Sequence, residues 1–447
     1  MKNVDFLIIG GSAAGTTAAE VIRGLKPQTS ITIVTDELHE EYSRVLLPHY
    51  IRGKVHRDQV ILKNPNWYLE KNIGLLKGSR VKSLKTDAKI AILVNDEEIK
   101  YGKVLIAIGG YVIKLQVPNS KLQNILYMRT LEDADAIVKA SKQAKKAVII
   151  GGGFIGLEFA SCFKVNGVNE IVVLVREPYY WAGKLDEASS KVLVRVLERN
   201  GVKVLTGEEV DRIEPGRGQS LPQTVITKSG KKFDADVVGV GIGIKSDLSF
   251  LAGSGVKIDR GIVANEYLET NVADVYAVGD CAQFKDVIFE REHIVGNWAN
   301  ATSQGNAVGR TMAGVRTVFE TASSYSINFF DPSTHSKISG QASSGPGGSC
   351  SFIGVTDEKF ADKIIVRGSV EEGKMARIFI KEYPSTHSIN SGQASSGSTT
   401  RIVGATIIND PSEVSPISAA VRSKTDVSAH VDKLSDLNFD LKEIVQI

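Results

Sequence analysis

Cysteine is scarce in this chain of 447 residues: there are three, Cys162, Cys281 and Cys350, each far from the others. No CxxC or CxxxxC pair occurs, so the sequence carries neither a local redox disulfide nor a zinc knuckle, and no metal site is expected. A structural disulfide framework is equally foreign to a chain of this size with so few thiols. Long apolar runs are missing too. No window reaches the roughly 20 apolar residues that span a bilayer, and the opening run in MKNVDFLIIGG breaks at Gly10-Gly11 with no cleavage site behind it. A buried strand is expected there, not a signal peptide, and a cytoplasmic location follows. Nor is there an excess of one charge. The net charge is only +3, with both signs spread along the chain, which argues against nucleic-acid or anionic-membrane partners.

What is present is ordinary for a globular protein of two or three domains: 42% hydrophobic and 23% charged residues, enough for a substantial core. Its organisation shows in two copies of one pattern. Val4–Ile9 is an apolar run ending in Gly10-Gly11-Ser12-Ala13-Ala14-Gly15, followed by a small-residue helix over Thr16–Leu25 and a strand over Ile31–Val34. About 140 residues later come Ala147–Ile150, Gly151-Gly152-Gly153-Phe154-Ile155-Gly156, a helix from Leu157 and the strand Ile171–Val175. Apolar, unalternated strands joined by helices predict parallel sheets covered on both faces. Further strands are expected at Val104–Ile108, before Gly109, at Val237–Val240, and in the run that closes at Gly279-Asp280. After Ser323 the texture becomes hairpin-like, over Ile327–Phe330, Ser351–Val355, Lys363–Val366, Arg377–Ile380 and Arg401–Ile408, predicting an α+β domain with a helical tail.

In Gly10-x-Ser12-x-x-Gly15 the first glycine permits a tight turn and the last lets helix and strand pack closely. A pyrophosphate would then sit on the helix N-terminus, where free N–H groups and the dipole point at it. Serine replaces the middle glycine of the GxGxxG pattern. Asp36, at the end of the second strand, is placed to accept a hydrogen bond from a ribose 2′-hydroxyl. Gly151-x-Gly153-x-x-Gly156 is the full pattern, and its second strand ends in Arg176-Glu177. An acid there favours NAD and an arginine the 2′-phosphate of NADP; both occur, so NADH against NADPH stays open. A carboxylate at the end of a strand, as at Asp280, faces the ligand crevice of such a sheet.

Two such motifs with a late Gly-Asp resemble the FAD-dependent pyridine nucleotide–disulfide oxidoreductase superfamily, within it the ferredoxin/rubredoxin reductase, NADH oxidase and nitrite reductase flavoprotein branch. The resemblance covers essentially the whole chain except two repeated loops. It implies an α/β fold of two Rossmann-like domains and a C-terminal α+β interface domain. The FAD-binding domain would occupy 1–112 and 241–322, the NAD(P)H-binding domain 113–240 and the interface domain 323–447. The resemblance assigns the FAD pyrophosphate to Gly10, Gly11, Ser12, Ala14 and Gly15, and further FAD contacts to Asp36, Glu37, Gly109 and Asp280. It assigns NAD(P)H to Gly151, Gly153, Gly156, Arg176 and Glu177. In this branch the arginine of Tyr42-Ser43-Arg44-Val45-Leu46-Leu47 lies along the flavin, which puts Arg44 there. His49 falls where several relatives carry a lysine that pairs with the glutamate after the second motif, here Glu158, so His49 and Glu158 are the expected catalytic pair. Trp298 resembles the start of the helix that meets the flavin ring.

Disulfide-reducing relatives carry CxxxxC in the first helix, where this chain has Thr16-Thr17-Ala18-Ala19-Glu20. Persulfide-reducing and water-forming oxidase relatives place one cysteine where this chain has Ser43, and serine cannot supply a low-pKa sulfur. Cys162 and Cys281 read as structural, and Cys350, beside an inserted loop, as exposed. The resemblance therefore implies a reductase that passes electrons from NAD(P)H through FAD to an external acceptor: rubredoxin or ferredoxin, a quinone or dye, or oxygen. The alternatives are a CoA-disulfide or persulfide reductase, and a non-enzymatic flavin redox sensor or binding protein. The C-terminal domain implies a homodimer contact.

The repeated loops are PSTHSKISGQASSG, from Pro332, and PSTHSINSGQASSG, from Pro384, identical at twelve of fourteen positions. Polar, Ser/Gly-rich and without periodicity, they predict surface loops, over 332–350 and 384–400, with no catalytic duty.

Overall fold

The computed structural model describes residues 1–122, 124–216, 223–330, 347–384 and 398–445. The chain forms two compact units: Met1–Tyr50 with Val55–Ile113 and Gly243–Thr321, and Ile51–Lys54 with Lys114–Ile242 and Ala322–Ile447.

In the first unit Lys2–Ile9 is the central strand, paired in parallel with Ile31–Val34 on one side and Glu98–Ile106 on the other. Ile73–Leu76 extends the sheet in parallel beyond Ile31–Val34, and Val275–Ala277 does so beyond Glu98–Ile106. Where polar alternation is absent, over residues 6–9, Ile31–Val34 and residues 104–106, both faces are buried. Phe6, Ile8, Ile33 and Leu105 pack on one face with Ile22 and Met312, while Leu7, Ile9, Val34, Val104 and Ile106 pack on the other with Leu84 and Leu93. Each such aliphatic side chain contributes about 1.5–3 kcal/mol of burial. The helix Ala13–Leu25 lies against Trp298–Met312, and glycines allow the close approach. A Cβ on Gly305 would stand 2.4 Å from the Ala14 carbonyl oxygen.

In the second unit five parallel strands run in the order Val202–Thr206, Glu170–Val175, Lys146–Ile150, Val237–Val240 and Ile125–Leu126. The helix Phe154–Val165 follows the second glycine loop, and Glu187–Arg199 starts at Asp186, whose carboxylate accepts the Ser189 N–H at 2.9 Å. An antiparallel sheet follows in the order Ser324–Phe329, Gly348–Gly354, Ser398–Ile408, Lys374–Pro384, Lys363–Ser369, with the helix Val414–Arg422 behind it. The buried Arg367 guanidinium pairs with Glu413 and donates to the carbonyls of Asp436, Leu437 and Phe439, tying down the C-terminal turns.

The chain passes between the units at 50/51, 54/55, 113/114, 242/243 and 321/322, and the C-terminal sheet shares a compact unit with the nucleotide half. Contacts between them explain why: the Phe330 N–H donates to Ser161 Oγ at 3.2 Å, and Ser189 Oγ to Met375 Sδ at 3.2 Å.

Two expectations need correction. Cys350 is fully buried, because it pairs with Ile327 and Ile408 inside the sheet. The expected loops are also too long, since Gly348–Cys350, Pro384 and Ser398–Thr400 belong to paired strands. The strand ladders run out to Phe329 opposite Gly348 and to Pro384 opposite Ser398, at opposite ends of the strand Ser398–Ile408. The repeated segments themselves, apart from Pro384, lie outside the described residues.

Candidate functional site

The first glycine loop leaves no room for side chains where the backbone turns. Gly10 has φ +115°, and a Cβ on it would stand 2.2 Å from the Ala107 carbonyl oxygen; one on Gly15 would stand 1.9 Å from that of Gly10. Gly11 lies against Thr35, and Ala14 is buried beneath Gly305. Ser12 stands at the helix N-cap, but its hydroxyl makes no cap hydrogen bond. It accepts instead from Arg44 Nη1 at 2.7 Å. The second terminal nitrogen of Arg44 pairs with Glu37, whose other carboxylate oxygen accepts the Tyr42 hydroxyl at 2.9 Å. Arg44 is thus fixed beside the loop with its buried Nε lacking a partner. Asp36 is exposed and accepts the Tyr111 hydroxyl. The acid tied to the loop through Arg44 is therefore Glu37, the next residue.

Ser43 is buried and accepts the Leu46 N–H at 3.3 Å, starting the turn Arg44–Leu46. His49 lies half-buried on the short helix Leu47–Ile51. Gly279-Asp280 forms a 3₁₀ turn, with Gly279 at φ +76° donating its N–H to Gln304 Oε1 at 2.6 Å. Gln304 Nε2 is buried without a partner. Asp280 is half-buried, with Gly296 against its carboxylate. Gly109, at φ +62°, accepts the Ser246 hydroxyl at 2.6 Å. Trp298 opens its helix half-buried, behind the Asn297 side-chain cap. A cradle closed to Cβ atoms and two buried nitrogens with unused hydrogens suit a dinucleotide such as FAD, whose phosphates and hydroxyls supply acceptors.

The second loop repeats the geometry within its own unit. Gly151 has φ +113°, with a notional Cβ 2.3 Å from the Gly241 carbonyl oxygen, and one on Gly156 would stand 2.2 Å from that of Gly151. Gly153 is open, with only Trp181 Nε1 near, at 3.9 Å from its notional Cβ. Arg176 and Glu177 pair with each other at 2.9 Å, Arg176 being 71% exposed. An exposed pair of this kind is worth about 1 kcal/mol at most, so it leaves both side chains available to a nucleotide.

Glu158 is buried on the helix Phe154–Val165, and its ion-pair partner is Arg52, at 2.7 Å. The same Arg52 nitrogen lies 3.4 Å from Ser161 Oγ. Burial pushes the Glu158 carboxyl above the ordinary range, and the Arg52 charge pulls it part of the way back. The cation seen beside Glu158 within its own unit is Arg52, three residues after His49. The sequence did hold a signal, an arginine at position 52, directly after the helix Leu47–Ile51. The three cysteines form no disulfide and are buried, and burial pushes the thiols of Cys162 and Cys281 up to about 12 and also raises that of Cys350. No helix among the described residues is long and apolar enough to cross a membrane.

Known proteins share this arrangement. The chain is 29% identical over 318 residues to nitrite reductase [NAD(P)H] of Bacillus subtilis, covering 71% of this chain and 38% of that one. The match with the B. subtilis assimilatory nitrate reductase electron transfer subunit covers 40% of it, so the chain spans about two fifths of these relatives. It is 29% identical over 328 residues to NADH oxidase of Methanocaldococcus jannaschii, covering 70% and 71% of the two chains. Among solved structures, the covalent putidaredoxin reductase–putidaredoxin complex superposes with a TM-score of 0.83 at 24% identity, over 100% of this chain and 99% of that one. At that identity the likeness speaks for the fold. Residues 4–305 match the family described as pyridine nucleotide-disulphide oxidoreductase, a span that holds both glycine loops, Glu158 and Asp280. The chain belongs to that family, whose members bind FAD and use NAD(P)H.

Proposed function

We propose that the chain is an NAD(P)H:acceptor oxidoreductase that takes hydride from NAD(P)H and delivers electrons to an acceptor outside the chain. That acceptor is a small iron–sulfur protein such as rubredoxin or ferredoxin, or a quinone, a dye or oxygen. FAD, when bound, supplies the chemistry that joins a two-electron donor to such acceptors. The residues of the first loop hold and orient it: Arg44 offers charge to the phosphates, Glu37 and Ser12 fix that arginine, and Asp280 accepts from hydroxyls. In the second unit the loop Gly151–Gly156 takes the nucleotide pyrophosphate, Glu177 accepts from a ribose hydroxyl and Arg176 meets a 2′-phosphate. In the second unit Glu158, held by Arg52, and in the first unit half-buried His49 are each candidates for positioning and proton control.

The observation that carries this reading is the presence of two glycine-loop nucleotide folds in one chain whose thiols are all buried and held protonated. Relatives named NADH oxidase and NADH-rubredoxin oxidoreductase support it. The test is anaerobic stopped-flow reduction with NADH and with NADPH, then reoxidation by rubredoxin, ferredoxin, quinone, oxygen and CoA disulfide. Bleaching of the flavin by a nucleotide and reoxidation without any thiolate charge-transfer band are expected; a flavin that neither nucleotide bleaches would refute the reading. Pairing with a second copy through the C-terminal sheet belongs to the same proposal. Its edge strand Lys363–Ser369 carries exposed Val366, and light scattering after gel filtration reports the mass.

A further inference from the structure

Trp181 stands outside every motif legible in the sequence, yet it is the residue closest to the open glycine of the second loop. Its backbone has φ +60°, a left-handed conformation that is a genuine outlier for a bulky aromatic residue and persists only where the surroundings hold it. Four rings do so in a closed circuit. Trp181 meets Phe154, the first residue of the helix after the loop, at 6.3 Å between centroids, and meets Phe352 of the C-terminal sheet at 5.0 Å. Phe352 stacks on Tyr325 at 5.1 Å, and Tyr325 returns to Phe154 at 6.1 Å. The indole is thereby oriented with Nε1 over Gly153, where nothing else lies within 4 Å of the notional Cβ. Among the described residues its N–H donates to no protein acceptor.

We propose that the Trp181 indole N–H is a nucleotide-binding group that donates a hydrogen bond to the pyrophosphate of the pyridine dinucleotide held by the Gly151–Gly156 loop. The inference rests on the reading that this loop binds NAD(P)H. An indole N–H donates and never accepts, so an anionic oxygen is its matched partner, and such charge-assisted bonds are about twice as strong as neutral ones. The first turn of the helix Phe154–Val165 holds no acidic residue that would repel that oxygen. The aromatic circuit also gives the C-terminal sheet a part in nucleotide binding: Tyr325 and Phe352 are the wall against which the indole is set.

The test is equilibrium titration of the oxidised, FAD-loaded protein with NAD⁺, ADP-ribose and AMP, in the wild type and in Trp181→Phe, which keeps an aromatic ring and deletes the N–H. NAD⁺ and ADP-ribose carry the pyrophosphate and should each bind about tenfold more weakly to the variant, whereas AMP should bind both proteins alike. The flavin content and spectrum should not change. Equal affinity of both proteins for NAD⁺ and ADP-ribose would overturn the proposal, as would an equal loss for all three ligands, which marks a packing role. A wild type that binds neither NAD⁺ nor ADP-ribose would overturn the reading of the loop and this proposal with it. A second measurement needs no variant at position 181. With ¹⁵N-labelled tryptophan the protein shows indole resonances from three residues, Trp67, Trp181 and Trp298, and Trp67→Phe and Trp298→Phe identify two of them. ADP-ribose should move the Trp181 indole proton downfield; an unmoved resonance at saturating ADP-ribose would refute the hydrogen bond.

Discussion

Arg52→Met tests the buried ion pair at Glu158 most directly. Arg52 is 3% exposed at its side chain and Glu158 9%, and they meet at 2.7 Å. Methionine fills much of the arginine volume but leaves the carboxyl buried without its cation. Removing one partner of such a pair costs about 3–5 kcal/mol, because an uncompensated charge stays in the interior. The cost should depend on pH in a defined direction. Burial already places the folded pKa of Glu158 above its unfolded value. Its contribution to stability is therefore fully present below the unfolded carboxylate pKa and is lost as pH rises through the raised folded value. Taking Arg52 away raises the folded value further, and each added unit costs about 1.4 kcal/mol once the pH is above it. The penalty in Arg52→Met should thus be smaller at pH 5 than at pH 8.5, where it should reach about 3 kcal/mol. Urea unfolding followed by circular dichroism at both pH values reads this out: at a slope of about 1–3 kcal/mol per molar, the midpoint should fall by 1 M or more at the higher pH only. In Arg52→Met/Glu158→Leu, which removes both charges, most of the loss should be recovered. A penalty equal at the two pH values, or a double variant as unstable as the single one, would refute the reasoning.

The two loops should respond separately to a single methyl group. Gly15→Ala, whose Cβ would collide with the Gly10 carbonyl, should leave the purified protein without FAD; Gly156→Ala should retain FAD but lose reduction by NADH, as absorbance and stopped flow will show. With every thiol buried, Ellman's reagent at pH 8 should find none of the three cysteines in the native protein and all three in guanidinium; rapid native labelling of Cys350 would contradict its place in the sheet. Arg367→Met should release the carbonyls of Asp436, Leu437 and Phe439 and cost about 3 kcal/mol, seen as early proteolytic loss of the C-terminal turns. Replacing 385–397 by Asn-Gly should preserve the fold, because Pro384 already pairs with Ser398. The shorter closure should raise stability by about 1–2 kcal/mol, and loss of flavin binding would show that the repeat has a role in the site.

Much of this architecture is written at short range. Gly10 and Gly151 sit at φ values near +115° because a strand must turn tightly into a helix there, and such turns leave a glycine signature wherever they occur. The unalternated strands Ile31–Val34 and Val237–Val240 announce sheets covered on both faces, and the structure has them at those residues. The lack of any cysteine between Glu41 and Tyr50 disfavours thiol chemistry there by sequence alone. Long-range partners leave no comparable trace. That Arg52 meets Glu158 across 106 positions, that Glu37 rather than Asp36 joins Arg44 at the loop, and that Cys350 is an interior residue all depend on which elements pack together. Trp181 shows the difference most plainly. Its neighbours in the chain give no reason for a left-handed tryptophan; Phe154 from the helix after the loop and Tyr325 and Phe352 from the C-terminal sheet hold its indole over Gly153. Backbone turns are settled by residues one or two positions apart, so a sequence displays them; the partner of a buried charge or ring is settled by burial, which exists only once the chain has folded.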